Sequence, residues 1–316
     1  MINYEIEHVS PLQHIDTSFQ HYVTKRIASE KQHLKEGIPD YAFSMDYELR
    51  EKMKKIPYFY SISKKISSTY VTRQIQITNQ SGIAVGPKQF PEIYQMGVDC
   101  AHRLGIGIPN IFIINDPTIN AYTYAADDVS PIVVLHSGIV ERMTSGELKC
   151  VIGHECGHIH NQHLVYKTVI NTVLSGEKGV LGSIFSMANL ALMQLWTRAG
   201  EVTADRAAMI CADDVNDAIQ VNSKLLYGAT LNTSYEVNIS ALREQLEMTL
   251  NNPTKIMEVL SDHPNSIRRI IADMEFEECE IFYSWRPELK KPGTIMRSKE
   301  TTDMRCKRVV NILDNK

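Results

Sequence analysis

The chain has 316 residues, 43% hydrophobic and 22% charged, as expected of a soluble globular protein able to bury a large core. Its formal net charge of −4 gives no electrostatic basis for nucleic acid as a main partner. Six cysteines (Cys100, Cys150, Cys156, Cys211, Cys279, Cys306) are scattered without a Cys-x-x-Cys pair, so no disulfide framework is expected and a reducing compartment is the simplest setting.

The first residues, Met1 to Glu7, are acidic where a secretion signal is basic, and no apolar run follows, so a cytoplasmic location is expected. Residues 1 to about 60 read as helical and charged, divided by a Gly37-Ile38-Pro39-Asp40 turn. The run Tyr47–Lys55 reads as a solvated helix face. Tyr70 to Thr78 alternates and is rich in β-branched residues, which predicts a half-buried strand closed by Asn79-Gln80-Ser81-Gly82.

From Pro91 the pattern changes. Glu92–Leu104 is an amphipathic helix ended by Gly105. Short strands are predicted at Ile111–Ile114, Asn120–Ala125 and Pro131–His136, and then helices dominate. The helix of Val151–His160 has Ser145 as its expected N-cap and Glu147 in its first turn. Further helical periods cover 165–196, 200–212, 215–228, 240–250 and 264–278, which gives an α+β class, mainly helical with a small sheet. Gly179–Trp196 is apolar and nearly long enough to span a membrane, but Ser183, Ser186, Asn189 and Gln194 interrupt it. A buried or cleft-roofing helix is therefore favoured there, with peripheral membrane association the weaker reading. The tail from Pro287 is locally basic and reads as a loosely held extension.

The chemistry concentrates at His154-Glu155-Cys156-Gly157-His158. On a helix, two histidines four apart stack on one face and can both reach one zinc ion, with Glu155 as general base on an activated water. A surface helix with two ordinary histidines is the bland alternative. A zinc hydrolase needs a third ligand from a separate element, and Glu201, on a helix opening after Gly200, can supply it. Asp205, one turn later, can accept the free ring N–H of a ligating histidine. Ala204, Ala207 and Ala208 favour close packing of that helix. His160 reads as a surface residue, His163 as packing rather than ligating, and Cys156 as pointing away from the ligands. His136 ends a strand near the cleft.

With these motifs in order, residues of about 90–275 resemble the M48 metallopeptidases, the gluzincin family of the bacterial heat-shock protease and the CAAX endopeptidase. The resemblance rests on the His-Glu-x-x-His motif, on Glu201-x-x-Ala204-Asp205, on the run from Ile132 through Ser137-Gly138-Ile139 to Glu147-Leu148, and on His263-Pro264 followed by Arg269-Ile270. It implies one zinc held by His154, His158 and Glu201, with Glu155 as base, His263 as oxyanion stabiliser or zinc cap, and Arg269 beside the site. Asn120-Ala121-Tyr122 would line the cleft, and Ile132, Val133 and Val134 would form the edge strand on which an extended peptide or unfolded protein pairs. The expected function is a zinc metalloendopeptidase. A non-catalytic or latent protease-derived module that binds peptides or acts as a chaperone is the alternative, against which the intact Glu155 argues. The expected organisation is an N-terminal region 1–89 of unassigned role, a metallopeptidase domain 90–283 and a basic extension 284–316.

Overall fold

The computed structural model describes residues 33–35, 37–57, 59–126, 129–167, 170, 187–228, 238–250 and 266–310. Two short strands, β1 (Leu34–Lys35) and β2 (Ile38–Pro39), precede helix α1 (Ser44–Lys54) and the long helix α2 (Phe59–Ser81). The strand expected at 70–78 is the second half of α2. The reason is its burial period. Val71 and Thr78 are buried and Ile75 packs on Phe112, Ile132 and Val134, a helical spacing that docks on the sheet and overrides β-branched propensity.

A four-stranded sheet follows, formed by β3 (Gly82–Ala84), β4 (Asn110–Ile114), β5 (Ala121–Ala126) and β6 (Val129–His136) in the order β3-β4-β6-β5. The β4–β6 pair is parallel, and the outer pairs are antiparallel. Helix α3 (Pro91–Leu104), with Pro91 in its first turn and the left-handed Gly105 at its end, lies between β3 and β4 in the chain. Alternation along the strands divides two cores. Phe112, Ile132 and Val134 face α2, while Ile111, Val133 and Leu135 face α3 and the motif helix.

The interior position of β6 corrects one expectation. Ile132, Val133 and Val134 are not on an edge; they are at most 1% exposed and hydrogen-bonded between β4 and β5. Their continuous apolar run is that of a strand covered on both faces. The edge strands are β3 and β5, and among the described residues no strand pairs with the outer side of β5, the edge nearer the motif helix.

After a short helix α4 (Ser137–Arg142) comes the motif helix α5 (Ser145–His160). Its N-cap is Thr144, one residue before the expected Ser145, in a capping box with Glu147. The helix carrying Glu201, α6 (Met187–Cys211), runs unbroken through Gly200 instead of starting there. Helices α5 and α6 approach closely because their contact residues are small. A β-carbon on Gly157 would lie 2.6 Å from the Ala207 β-carbon, and one on Gly153 would lie 2.7 Å from that of Cys211. Helices α7 (Val215–Tyr227), α8 (Ile239–Leu250), α9 (Ser266–Glu277), α10 (Glu280–Trp285) and α11 (Lys299–Val310) complete the fold.

The tail is not loose where it is described. Arg206 of α6 forms an ion pair with Asp303 of α11 at 2.7 Å and donates to the Tyr41 carbonyl at 3.1 Å. Its guanidinium also stacks on Phe43 and Phe276. One buried arginine thus ties the segment before α1 and the last helix to α6. Leu49, Met53, Met193, Trp196 and Cys306 form an apolar cluster around this junction. Of the apolar stretch 179–196, residues 179–186 lie outside the described ones, and 187–196 begin α6 with Trp196 buried. No helix among the described residues is long and apolar enough to cross a membrane.

Candidate metal centre

His154 and His158 project from one face of α5 toward Glu201 on α6, and their ligand atoms lie within 4.8 Å of one another. Nε2 of His154 is 3.4 Å from Glu201 Oε2, and Nε2 of His158 is 3.5 Å from Oε1. A tetrahedral zinc site with ordinary Zn–N and Zn–O lengths has donor–donor edges of about 3.3 Å. The two histidine–glutamate separations are close to that edge, and the three donors as a set lie within 4.8 Å, a grouping able to hold a small divalent cation.

Proton positions support the same conclusion. His154 Nδ1 is 2.9 Å from Asp205 Oδ1, an ionised oxygen that can only accept, so the ring proton sits on Nδ1. Its other nitrogen, Nε2, faces Glu201 Oε2 at 3.4 Å, a contact that demands a cation between them, either a second ring proton or a metal ion in its place. Lys167 satisfies part of this demand by donating to Glu201 Oε1 at 2.8 Å, while Oε2 stays facing His154.

The surrounding charges are ordered. Burial opposes a charged ring at His154, but Asp205 and Glu201 outweigh it and hold the pKa up at about 9. Burial also works against the Glu201 carboxylate, yet Lys167 and His158 keep its pKa well below the usual carboxylate range. Asp205 likewise stays ionised against burial because Arg269 donates to it through Nε at 2.7 Å and through Nη2. Arg269 therefore acts on the second carboxylate instead of facing the cavity alone. Asp273 is pushed well above the carboxylate range by burial and by Asp205.

Glu155 lies one residue along from His154, on the flank of α5 that meets the sheet. Thr123 Oγ1 of β5 donates to Glu155 Oε2 at 2.6 Å. A cavity of about 680 Å³ opens here, bordered by Asn120, Ala121, Tyr122, Thr123, Glu155 and the three clustered donors. Sequence reasoning missed Thr123, although period-2 alternation from Ala121 points it toward α5. It also missed Tyr70, which borders the cavity from α2 and packs edge-on against Tyr124.

Of the four other histidines that the sequence singles out, three are among the described residues. His263 lies outside the described residues. His160 is off the metal face, as expected, but it is buried rather than on the surface, with Nδ1 3.0 Å from the Tyr41 hydroxyl. His136 is also buried, 2.7 Å from Thr118 Oγ1, and packs edge-on against Tyr122. His163 is buried beside the cluster, with Nδ1 2.8 Å from His158 Nδ1. Cys156 is fully buried, and burial raises its pKa, so no thiolate is available there.

The sequence pattern of peptidase family M48 matches residues 87–272, more than half of the chain. The chain is 29% identical over 210 residues to the plastoglobule-localized metallopeptidase 48 of Arabidopsis thaliana, covering 65% of this chain and 60% of that protein. It is 30% identical over 130 residues to a protease HtpX homolog of Streptococcus pneumoniae, covering 39% of this chain and 42% of that protein. The matched segments thus span less than two thirds of either relative. No solved structure matches the chain.

Proposed function

The chain belongs to peptidase family M48, and from that premise we propose that it is a zinc-dependent endopeptidase acting on extended peptides or unfolded protein. The observation that carries this reading is the convergence of His154, His158 and Glu201 beside a carboxylate, Glu155, that borders the same cavity. Zinc bound there would supply a Lewis acid for a peptide carbonyl and for water.

The chain's own residues divide the remaining work. His154, His158 and Glu201 hold the ion, and Asp205 orients His154 through its Nδ1–H. Glu155 accepts a proton from the attacking water and returns it to the departing amine. Thr123 fixes one oxygen of that carboxylate, which leaves the other to carry the proton. The outer edge of β5 offers backbone N–H and C=O groups to an extended substrate, so recognition is mainly of main chain. His263 is carried, on the family resemblance, as an oxyanion donor. The six free cysteines, all buried, support a reducing compartment such as the cytoplasm.

The test is metal content together with peptide-library digestion, with and without chelator. Near-stoichiometric zinc and internal cleavages that chelator abolishes are expected. A zinc-loaded chain that cleaves nothing, or cleavage indifferent to chelator, contradicts the proposal.

A further inference from the structure

We propose that Asp46, from helix α1 outside the family-matched segment, determines which ring nitrogen of His158 is free for the metal, acting through His163. This rests on the reading of His158 as a zinc ligand.

The chain leaves the motif helix through Gln162, whose φ of 57° is left-handed, and this turn brings His163 back beside His158. The two Nδ1 atoms are 2.8 Å apart, so one proton lies between them. On its far side, His163 Nε2 is 2.9 Å from Asp46 Oδ2. An ionised carboxylate only accepts, so a neutral His163 holds its one proton on Nε2 and presents a bare Nδ1. His158 must then carry the shared proton on its own Nδ1, which leaves Nε2 with a lone pair facing Glu201. The opposite order, with His163 protonated on Nδ1, would place the His158 proton on Nε2 and close it to metal.

Burial makes this order depend on Asp46. The exposures of Asp46, His163 and His158 are 3%, 1% and 3%, and Trp196 packs edge-on against the His163 ring, so water does not replace the carboxylate. Asp46 is itself fixed. Thr203 Oγ1 donates to the same Oδ2 at 2.8 Å and accepts from the Phe43 N–H at 3.1 Å. Thr203 lies on α6, two residues beyond Glu201, so one helix positions both a proposed ligand and the end of the relay. Such outer partners are worth about 10- to 100-fold in metal affinity.

The experiment is a double-mutant cycle on zinc affinity, read by competition with a chromophoric chelator, with the unfolding of each metal-free protein measured alongside. Asp46→Ala is expected to weaken zinc binding about 10- to 100-fold. His163→Gln can accept from His158 Nδ1–H without a carboxylate behind it, so in that background Asp46→Ala should add little. Asp46→Asn keeps the shape and serves where the alanine variant does not fold. Its amide can also donate and so support the wrong order, which places its affinity between wild type and alanine. Wild-type affinity in Asp46→Asn and Asp46→Ala, or equal losses from Asp46→Ala in both backgrounds, overturns the relay. A wild-type chain that binds no zinc overturns the ligand assignment instead.

Discussion

Thr123 of the edge strand donates a 2.6 Å hydrogen bond to Glu155 of the motif helix, joining the strand proposed to bind substrate to the carboxylate proposed to move its proton. Hydrogen bonds to charged groups contribute about 1.5–3 kcal/mol. Thr123→Val should therefore lower kcat about 10- to 100-fold with little change in KM. Thr123→Ser should restore most of the rate. Steady-state kinetics on one cleaved peptide checks both.

Asp205 receives His154 on one oxygen and Arg269 on both, all in the interior. Asp205→Ala would leave the guanidinium buried without its partner, a change that costs about 3–5 kcal/mol. It should also weaken zinc binding about 10- to 100-fold by releasing His154. Denaturant unfolding and chelator competition on the same variant separate the two effects.

The approach of Gly157 to Ala207 leaves no room for a methyl group, with 2.6 Å between β-carbons and 3.0 Å to the Ala204 α-carbon. Gly157→Ala should cost about 1–3 kcal/mol by overpacking. It should also move His154 and His158 away from Glu201. Ala207→Gly in the same chain should recover stability and zinc affinity together, measured by thermal unfolding and metal content.

Much of the centre was legible in the sequence because its parts are local. The His154–His158 spacing needs only a helix, and Glu201 with Asp205 needs only one more turn of another. Tyr70–Thr78 misled because alternating β-branched residues carry a strand signal, whereas only the docked sheet reveals that Val71, Ile75 and Thr78 share a helical face. Ile132–Val134 misled for a related reason. An apolar strand run records burial on both faces but not whether a neighbour pairs at each edge, and that is set by the hairpin that returns β6 between β4 and β5. Asp46 and Thr203 gave no signal. Their bond spans 157 positions, and a buried aspartate looks like a surface one until its partners are placed.

The Asp303 carboxylate holds α11 to the fold, and Arg206 with Lys299 keeps its pKa below the ordinary value despite burial. The unfolded state therefore binds the proton more readily. The stability this pair confers is present above the ordinary aspartate pKa, about 4, and is lost as pH falls through the depressed folded value. Asp303→Asn should be less stable than wild type at neutral pH, and the gap should close in acid. Denaturant midpoints between pH 7 and pH 3 measure it.

Glu155→Gln isolates the proposed general base, with zinc content and peptide cleavage measured on one preparation. The amide is nearly isosteric but cannot take a proton, and general-base catalysis contributes about 10²- to 10⁴-fold. Near wild-type zinc, with cleavage lowered by at least about 100-fold, is expected. Cleavage at the wild-type rate by a zinc-loaded Glu155→Gln protein would contradict that role.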